Sequence, residues 1–230
     1  MRIAVHRVDA FQLNGRGGNP AGVVLDADGL SDSHMQQVAA KVGAPETAFV
    51  LASDTCDYRL RFFTPTEEVG LCGHATVATY AVLHQVGTLR PGAYRQALQA
   101  GELGVAVADH GLVSMEQAPP VFGDTFSPEC IAPLLGCTVE AILSPDWPVQ
   151  AVSTGLPDIL VPLRSAAALA QLRPDFIAMA RFNAASRTVG VHAFVVDSAS
   201  PRSPVRCRNF APRFGIPEEA ATGSANGALA

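Results

Sequence analysis

The feature that most constrains this chain is an internal repeat: four short motifs occur twice, in the same order. Gly18-Asn19-Pro20 before Val23-Val24 is answered by Gly155-Leu156-Pro157 before Leu160-Val161. Ala48-Phe49-Val50 is answered by Ala193-Phe194-Val195. Arg59-Leu60-Arg61-Phe62-Phe63-Thr64-Pro65 is answered by Arg206-Cys207-Arg208-Asn209-Phe210-Ala211-Pro212. Last, Gly73-His74-Ala75 is answered by Gly223-Ser224-Ala225. The offsets of 137, 145, 147 and 150 positions drift slowly, as small loop insertions would make them. Such a chain has to fold one plan twice, each copy large enough for a core of its own.

The plan mixes strands and helices. RIAVHRVDAF, AGVVLDA, TAFVLA and YRLRFF are rich in Val and Phe and read as strands. Residues 31–42 read as a helix capped by Ser31, with Val38 and Val42 on its apolar side, stopped by Gly43 and Pro45. A second helix opens near Gly73 and runs through ATVATYAVLHQV. It is apolar almost all round, the mark of a buried, central helix. YRQALQ, LGVAVAD and LVSMEQA read as hairpin strands turning at Gly101 and at His110-Gly111. From about Pro119 the second copy predicts helices over 128–135, 166–172 and 175–184 and strands at ILVPL, HAFVVD and VRCRNF. The expected fold class is α+β: two pseudo-symmetric halves, 1–115 and 116–230, each a small sheet around one central helix.

The repeat also exposes a gap. The first copy continues long past Gly73, whereas seven residues follow Gly223. The second half is therefore expected to be truncated, lacking its last helix end and hairpin. Either the chain is cut short or a separate chain completes the C-terminal half; a naturally shortened variant is the alternative.

Composition narrows the function classes. Of 230 residues, 48% are hydrophobic and 16% charged, below the roughly 25% charged of an average domain. Much of the chain must be buried. A net charge of −5 without any Lys/Arg cluster argues against nucleic acid as a partner. Arg2, Arg7 and Asp9 break any apolar signal core, and no apolar run approaches membrane-spanning length. Five cysteines without CxxC spacing disfavour a disulfide framework or zinc cluster and suit a cytoplasmic protein with reduced thiols.

Two glycine motifs, CGHAT (Cys72–Thr76) and ATGSA (Ala221–Ala225), each sit where a strand passes into an apolar helix. A helix start offers unpaired N–H groups and the positive end of the dipole, and glycine lets a ligand approach the backbone. A carboxylate is a natural guest, and a symmetry-related pair facing across a cleft between the halves would grip one anion from both sides. The alternative is that each glycine is simply a tight entry turn. No P-loop, GxGxxG or HExxH is present, so nucleotide and zinc chemistry lack support.

The segments GNPAGVVLDADGLSD, PETAFV, RFFTPTEEVGLCGHATVATYAVL and GIPEEAATGSANGALA resemble the phenazine-biosynthesis (PhzF-like) family. That family shares the diaminopimelate epimerase fold. The resemblance runs from Met1 to Ala230 and implies two βα-barrel-like halves. Family chains usually continue further, in line with the gap above. The resemblance implies a cofactor-independent isomerase that moves a proton on a small carboxylate-bearing substrate. It also implies no metal, and often a homodimer.

The resemblance also distributes roles. Glu46, in PETAFV, stands where the family has its general acid/base, a task a carboxylate performs when burial raises its pKa; otherwise it is an exposed loop carboxylate. His74 matches a histidine that binds or protonates substrate; otherwise it caps or packs the helix. Glu219 stands where the family usually has Asp followed by Pro, while this chain reads Glu-Ala, a departure that puts its catalytic role in doubt against a solvated Glu218-Glu219 pair. Cys72 occupies the position of one catalytic cysteine of epimerases on this fold. Thr222 stands in place of the second, so two-thiol racemisation is disfavoured and Cys72 reads first as a small buried hydrophobe. Gly73, Gly223 and Ser224 would bind the substrate anion, and Asn19 sits in a turn that lines the cleft or only shapes it. Arg59 and Arg61 read as strand residues alternating outward, and Asp9, Glu67 and Glu68 as acids that make loop hydrogen bonds or stay solvated. Two rivals remain: a ligand-binding pseudo-enzyme that keeps the anion site without turnover, and a single-thiol enzyme using Cys72.

Overall fold

The computed structural model describes residues 2–143, 147–196 and 205–230. They form two compact units, Met1–Gln117 and Ala118–Ala230, each with its own sheet.

The first unit runs β1 (His6–Ala10), β2 (Asn19–Val24), α1 (Asp32–Val42), β3 (Glu46–Leu51), β4 (Tyr58–Phe63), β5 (Glu68–Val69), α2 (Gly73–Gln85), β6 (Gly92–Leu98), β7 (Gly101–Val107) and β8 (Val113–Met115). The sheet order is β1-β2-β3-β4-β6-β7-β8, with β5 added on β4. The β2/β3 and β4/β6 pairs are parallel, and the other pairs antiparallel. Helix α2 packs against strands from both ends of that order, β1, β2, β3, β7 and β8, so the sheet curls around it.

Alternation explains why β2 and β3 are buried throughout. Val23, Ala48, Val50, Leu60 and Phe62 face α2, beside Ala75, Ala78, Tyr80, Val82 and Leu83. Their neighbours Val24, Phe49 and Phe63 point to the other face and pack under α1 with Met35 and Ala39. The apolar stripe of α1 is thus centred on Met35 and Ala39, with Val38 and Val42 only half-buried at its edge. Ser31 caps α1 through the His34 N–H, and Gly43 ends it with φ 63°, a left-handed turn that glycine adopts freely. Buried hydroxyls on α2 bond back along the helix: Thr76 Oγ1 donates to Cys72 O at 2.8 Å and Thr79 Oγ1 to Ala75 O at 2.7 Å.

The second unit runs β9 (Val121–Phe126), α3 (Pro128–Leu135), β10 (Val149–Ser153), β11 (Pro157–Pro162), α4 (Ala166–Gln171), α5 (Phe176–Ser186), β12 (Gly190–Val196), β13 (Val205–Ala211), β14 (Ile216–Glu219) and α6 (Gly223–Leu229). Its sheet order is β14-β13-β12-β11-β10-β9, with β11/β12 the parallel pair. One core joins α3, α5 and the sheet through Ile131, Leu135, Ile159, Val161, Met179, Val191 and Phe210. On the other side, Ala228 and Leu229 of α6 meet Val152, Leu160 and Phe194. The helices predicted over 128–135, 166–172 and 175–184 are α3, α4 and α5. The strand expected at HAFVVD is β12, although its Asp197 lies outside the described residues.

The repeat persists in side chains. Arg61 grips Glu68 with both forks, Nε to Oε1 at 2.7 Å and Nη2 to Oε2 at 2.7 Å, and its guanidinium lies 5.1 Å from the Phe63 ring centre. Arg208 grips Glu218 in the same way, at 2.7 and 2.8 Å, and lies 5.0 Å from the Phe210 ring. Arg61 is thus an anchor that ties β4 to β5 and reaches Asp32 at 2.6 Å, not a residue that merely alternates outward. Glu68 is its ligand, not a solvated acid. The expected truncation of the second half gains no support: this unit forms a six-stranded sheet over its own core. Among the described residues no helix is long and apolar enough to cross a membrane.

Candidate active site

In the first unit the chemistry gathers where β3 begins and α2 starts. Glu46 is the first residue of β3 and pairs in register with Ala21 of β2. Two-residue alternation therefore puts Glu46, Ala48 and Val50 on the side that packs against α2. Asn19 opens β2 two positions before Ala21, on the same side, and is 1% exposed. Cys72 is the N-cap residue of α2, Gly73 its first residue and His74 its second. All three chemical groups are buried: Glu46 is 9% exposed, His74 4% and Cys72 6%.

They cluster around the imidazole. His74 Nε2 lies 3.3 Å from Glu46 Oε2, and His74 Nδ1 lies 3.4 Å from Cys72 Sγ. The carboxylate and the thiol meet opposite nitrogens of one ring. The 3.3 Å separation is slightly long for a strong hydrogen bond. Donor and acceptor roles at the two nitrogens follow from whichever tautomer is present. One atom each from Glu46, Cys72 and His74 lies within 4.8 Å of the others, so the three could offer a metal ion one ligand apiece. The same closeness lets a proton pass between the carboxylate and the ring.

In the second unit the predicted residues surround the start of α6. Thr222 is its N-cap, Gly223 its first residue and Ser224 its second. Thr222 Oγ1 donates to Glu219 Oε2 at 2.8 Å, and Asn226 Nδ2 donates to Thr222 O at 2.7 Å. The turn between them is tight, with Ala221 at φ 53°, a left-handed conformation unusual for a residue with a Cβ. Glu219 ends β14 and is half-buried, while Glu218 turns to Arg208. The two glutamates are therefore not a solvated pair. A cavity of about 380 Å³ opens here, lined by His192, Cys207, Asn209, Glu219, Ala221 and Thr222 among others.

Two polar residues of this unit escape a motif-based reading. Asp158, the second residue of β11, is 1% exposed, and burial followed by the charge of Glu219 pushes its carboxyl up to about 7. His192 on β12 is fully buried, and burial lowers its pKa although hydrogen bonding to Asn209 and Asn226 works the other way. Its Nδ1 lies 3.0 Å from Asn209 Oδ1. The available signal was a lone polar residue within an apolar strand run: Asp158 directly follows one repeat motif, and His192 directly precedes another.

An uncharacterized isomerase, YddE, of Escherichia coli K12 is 37% identical over all of this chain and 78% of its own length. An uncharacterized isomerase of Deinococcus radiodurans is 38% identical over 96% of this chain and 73% of its own length. The crystal structure of a Bacillus anthracis phenazine biosynthesis protein of the PhzF family superposes with a TM-score of 0.89 at 32% identity, covering all of this chain and 79% of that one. A hydroxyproline epimerase from Agrobacterium vitis, with bound trans-4-OH-L-proline, shares the fold at 12% identity and a TM-score of 0.64, over 98% of this chain and 74% of that one. With the family model for phenazine biosynthesis-like proteins matching residues 8–230, this chain belongs to the PhzC-PhzF family.

Proposed function

We propose that the chain is a cofactor-independent isomerase that moves a proton on a small carboxylate-bearing substrate. The observation that carries this reading is the buried cluster of Glu46, His74 and Cys72 at the start of α2. Glu46 takes a proton from a carbon next to the substrate carboxylate, leaving an enolate-like anion. The N–H groups of the first turn of α2 and the His74 ring stabilise that charge, and the proton returns at another carbon. Atoms and charge balance without any second substrate. In the second unit Glu219, held by Thr222, is a further candidate acid/base at the start of α6. The isomerase names of the curated relatives support the reaction class.

The test is a screen of small aromatic and amino-acid carboxylates for deuterium uptake from D₂O, with product isomers resolved by NMR. Turnover that vanishes in Glu46→Gln supports the reading; exchange undiminished in that variant overturns it. A second reading draws on the Cys72 Sγ contact with His74: the thiol itself is the base. Full activity after thiol alkylation or in Cys72→Ala excludes it.

A further inference from the structure

We propose that Cys72, His74 and Glu46 form a three-donor site for a thiophilic divalent cation of the zinc type, and that a bound ion switches the isomerase off. The binding half stands on the geometry of the donors; the inhibition rests on the proton-transfer reading above.

The donors are the right kinds for such an ion. Zinc takes thiolate sulfur, imidazole nitrogen and carboxylate oxygen, usually four ligands in a tetrahedron. Magnesium and calcium call for oxygen ligands, so a thiol and an imidazole select against them. Two of the donors are fixed by one turn of chain: Cys72 is the N-cap of α2 and His74 its second residue. The third, Glu46, comes across from β3. At zinc–ligand bonds of about 2.0–2.3 Å, tetrahedral neighbours stand about 3.3–3.6 Å apart. Glu46 Oε2 and His74 Nε2 are 3.3 Å apart, and Cys72 Sγ and His74 Nδ1 are 3.4 Å apart. The two pairs use opposite ring nitrogens, so an ion on one nitrogen must draw in the donor from the other side. One donor atom from each residue lies within 4.8 Å of the others. The set therefore contracts by about 1.3 Å at most to reach tetrahedral spacing, a movement shared between the thiol and the longer Glu46 side chain.

Charge favours the same occupant. Each of the three residues is 9% exposed or less, and buried charges are paired or coordinate metals. A helix start favours the anionic forms of thiol and carboxyl, and one divalent cation cancels both negative charges. Among the described residues this is the one group of three His, Cys, Asp or Glu donors so close together. Three protein donors leave a fourth position open, as in catalytic zinc sites. Here the ion takes the lone pairs that would carry the proton. Glu46 cannot accept a proton from carbon while its oxygen is on the metal, so zinc is an inhibitor of this site, not its cofactor.

The test is Co²⁺, a coloured stand-in for zinc, titrated into the intact, chelator-treated protein under reducing conditions without substrate. One equivalent should give a thiolate-to-cobalt charge-transfer band in the near ultraviolet, which Zn²⁺ then displaces. Cys72→Ala should abolish the band, and Glu46→Gln should weaken binding by more than about tenfold. Cys130→Ala, at an exposed cysteine, should keep both band and affinity. No band, or a band that survives Cys72→Ala, overturns the site. Zinc X-ray absorption on the parent protein needs no variant: one sulfur among nitrogen and oxygen ligands is expected, and a shell without sulfur overturns it too. On whichever carboxylate exchanges fastest, one equivalent of Zn²⁺ should cut deuterium uptake by about 10²-fold or more, the worth of a positioned base, and a chelator should restore it. Uptake undiminished with zinc on the thiol overturns the inhibition. Metal binding needs no turnover, so a missing site is distinguishable from failure of the proton-transfer reading.

Discussion

His74 Nε2 stands 3.3 Å from Glu46 Oε2 although the two residues come from different elements, the start of α2 and the start of β3. The parallel pairing of β2 with β3 and the curl of the sheet around α2 create that meeting. Glu46→Gln keeps the shape and removes the base. It should lower proton exchange by about 10²–10⁴-fold, the usual worth of a positioned acid/base group, with folding intact by circular dichroism. Exchange within a few-fold of the parent protein would remove Glu46 from the mechanism.

Cys72 is the third member of that cluster, and its worth separates the two readings of the site. If the thiol is only a packing neighbour of the ring, Cys72→Ala should cost less than about tenfold in exchange. The loss of one small buried side chain should cost on the order of 1 kcal/mol of stability. A loss as large as that of Glu46→Gln would instead make the thiol a working base.

The repeated Arg–Glu clamps give a prediction about stability. Arg61 is buried more deeply than Arg208, with side-chain exposures of 15% and 24%, and it also reaches Asp32. Charge-assisted, two-pronged contacts gain value as they leave water. Arg61→Met should therefore destabilise by roughly 1–3 kcal/mol, more than Arg208→Met does, measured by urea unfolding. Equal or reversed costs would show that burial does not set the value of the clamp.

How much of this was legible in the sequence follows from which interactions are local. The helix α1 was readable because Ser31 and Gly43 mark its ends, and α2 because apolar residues surround it. The clustering of Glu46 with the CGHAT motif came from family resemblance, since nothing local brings position 46 to position 74. Strands β5 and β14 escaped notice: they are short, and each is held by a side chain of the strand before it, Arg61 on Glu68 and Arg208 on Glu218. Asp158 and His192 were missed for the same reason. Their neighbours lie across the sheet, at Gly190 for one and Asn209 for the other.

Tyr80 offers a test of the core. It is fully buried on α2 between the rings of Tyr58 and Tyr94, and its hydroxyl finds no hydrogen-bond partner among the described residues. Burial drives its pKa up, so the phenol stays protonated. Tyr80→Phe deletes only that unmatched hydroxyl and keeps the ring contacts. The change should be neutral or stabilise by up to about 1 kcal/mol. A loss above about 1 kcal/mol would mean that the hydroxyl has a partner after all.

Asp158 makes stability depend on pH in a direction opposite to that of most carboxylates. Its folded pKa, about 7, lies above the ordinary aspartate value of 3.8. Between those values the folded chain keeps a proton that the unfolded chain has released. Its contribution is therefore fully present below about pH 4 and is lost as pH rises towards 7. Asp158→Asn removes the dependence, since an amide never ionises. The variant should gain on the parent protein by on the order of 2–4 kcal/mol between pH 4 and pH 8, read as the difference between their urea unfolding free energies at each pH. His192 works the other way: its lowered pKa costs stability as pH falls below about 6.5. Because His192 is present in both proteins, its effect cancels in the difference, and a flat difference across the window would show that Asp158 ionises like an ordinary surface aspartate.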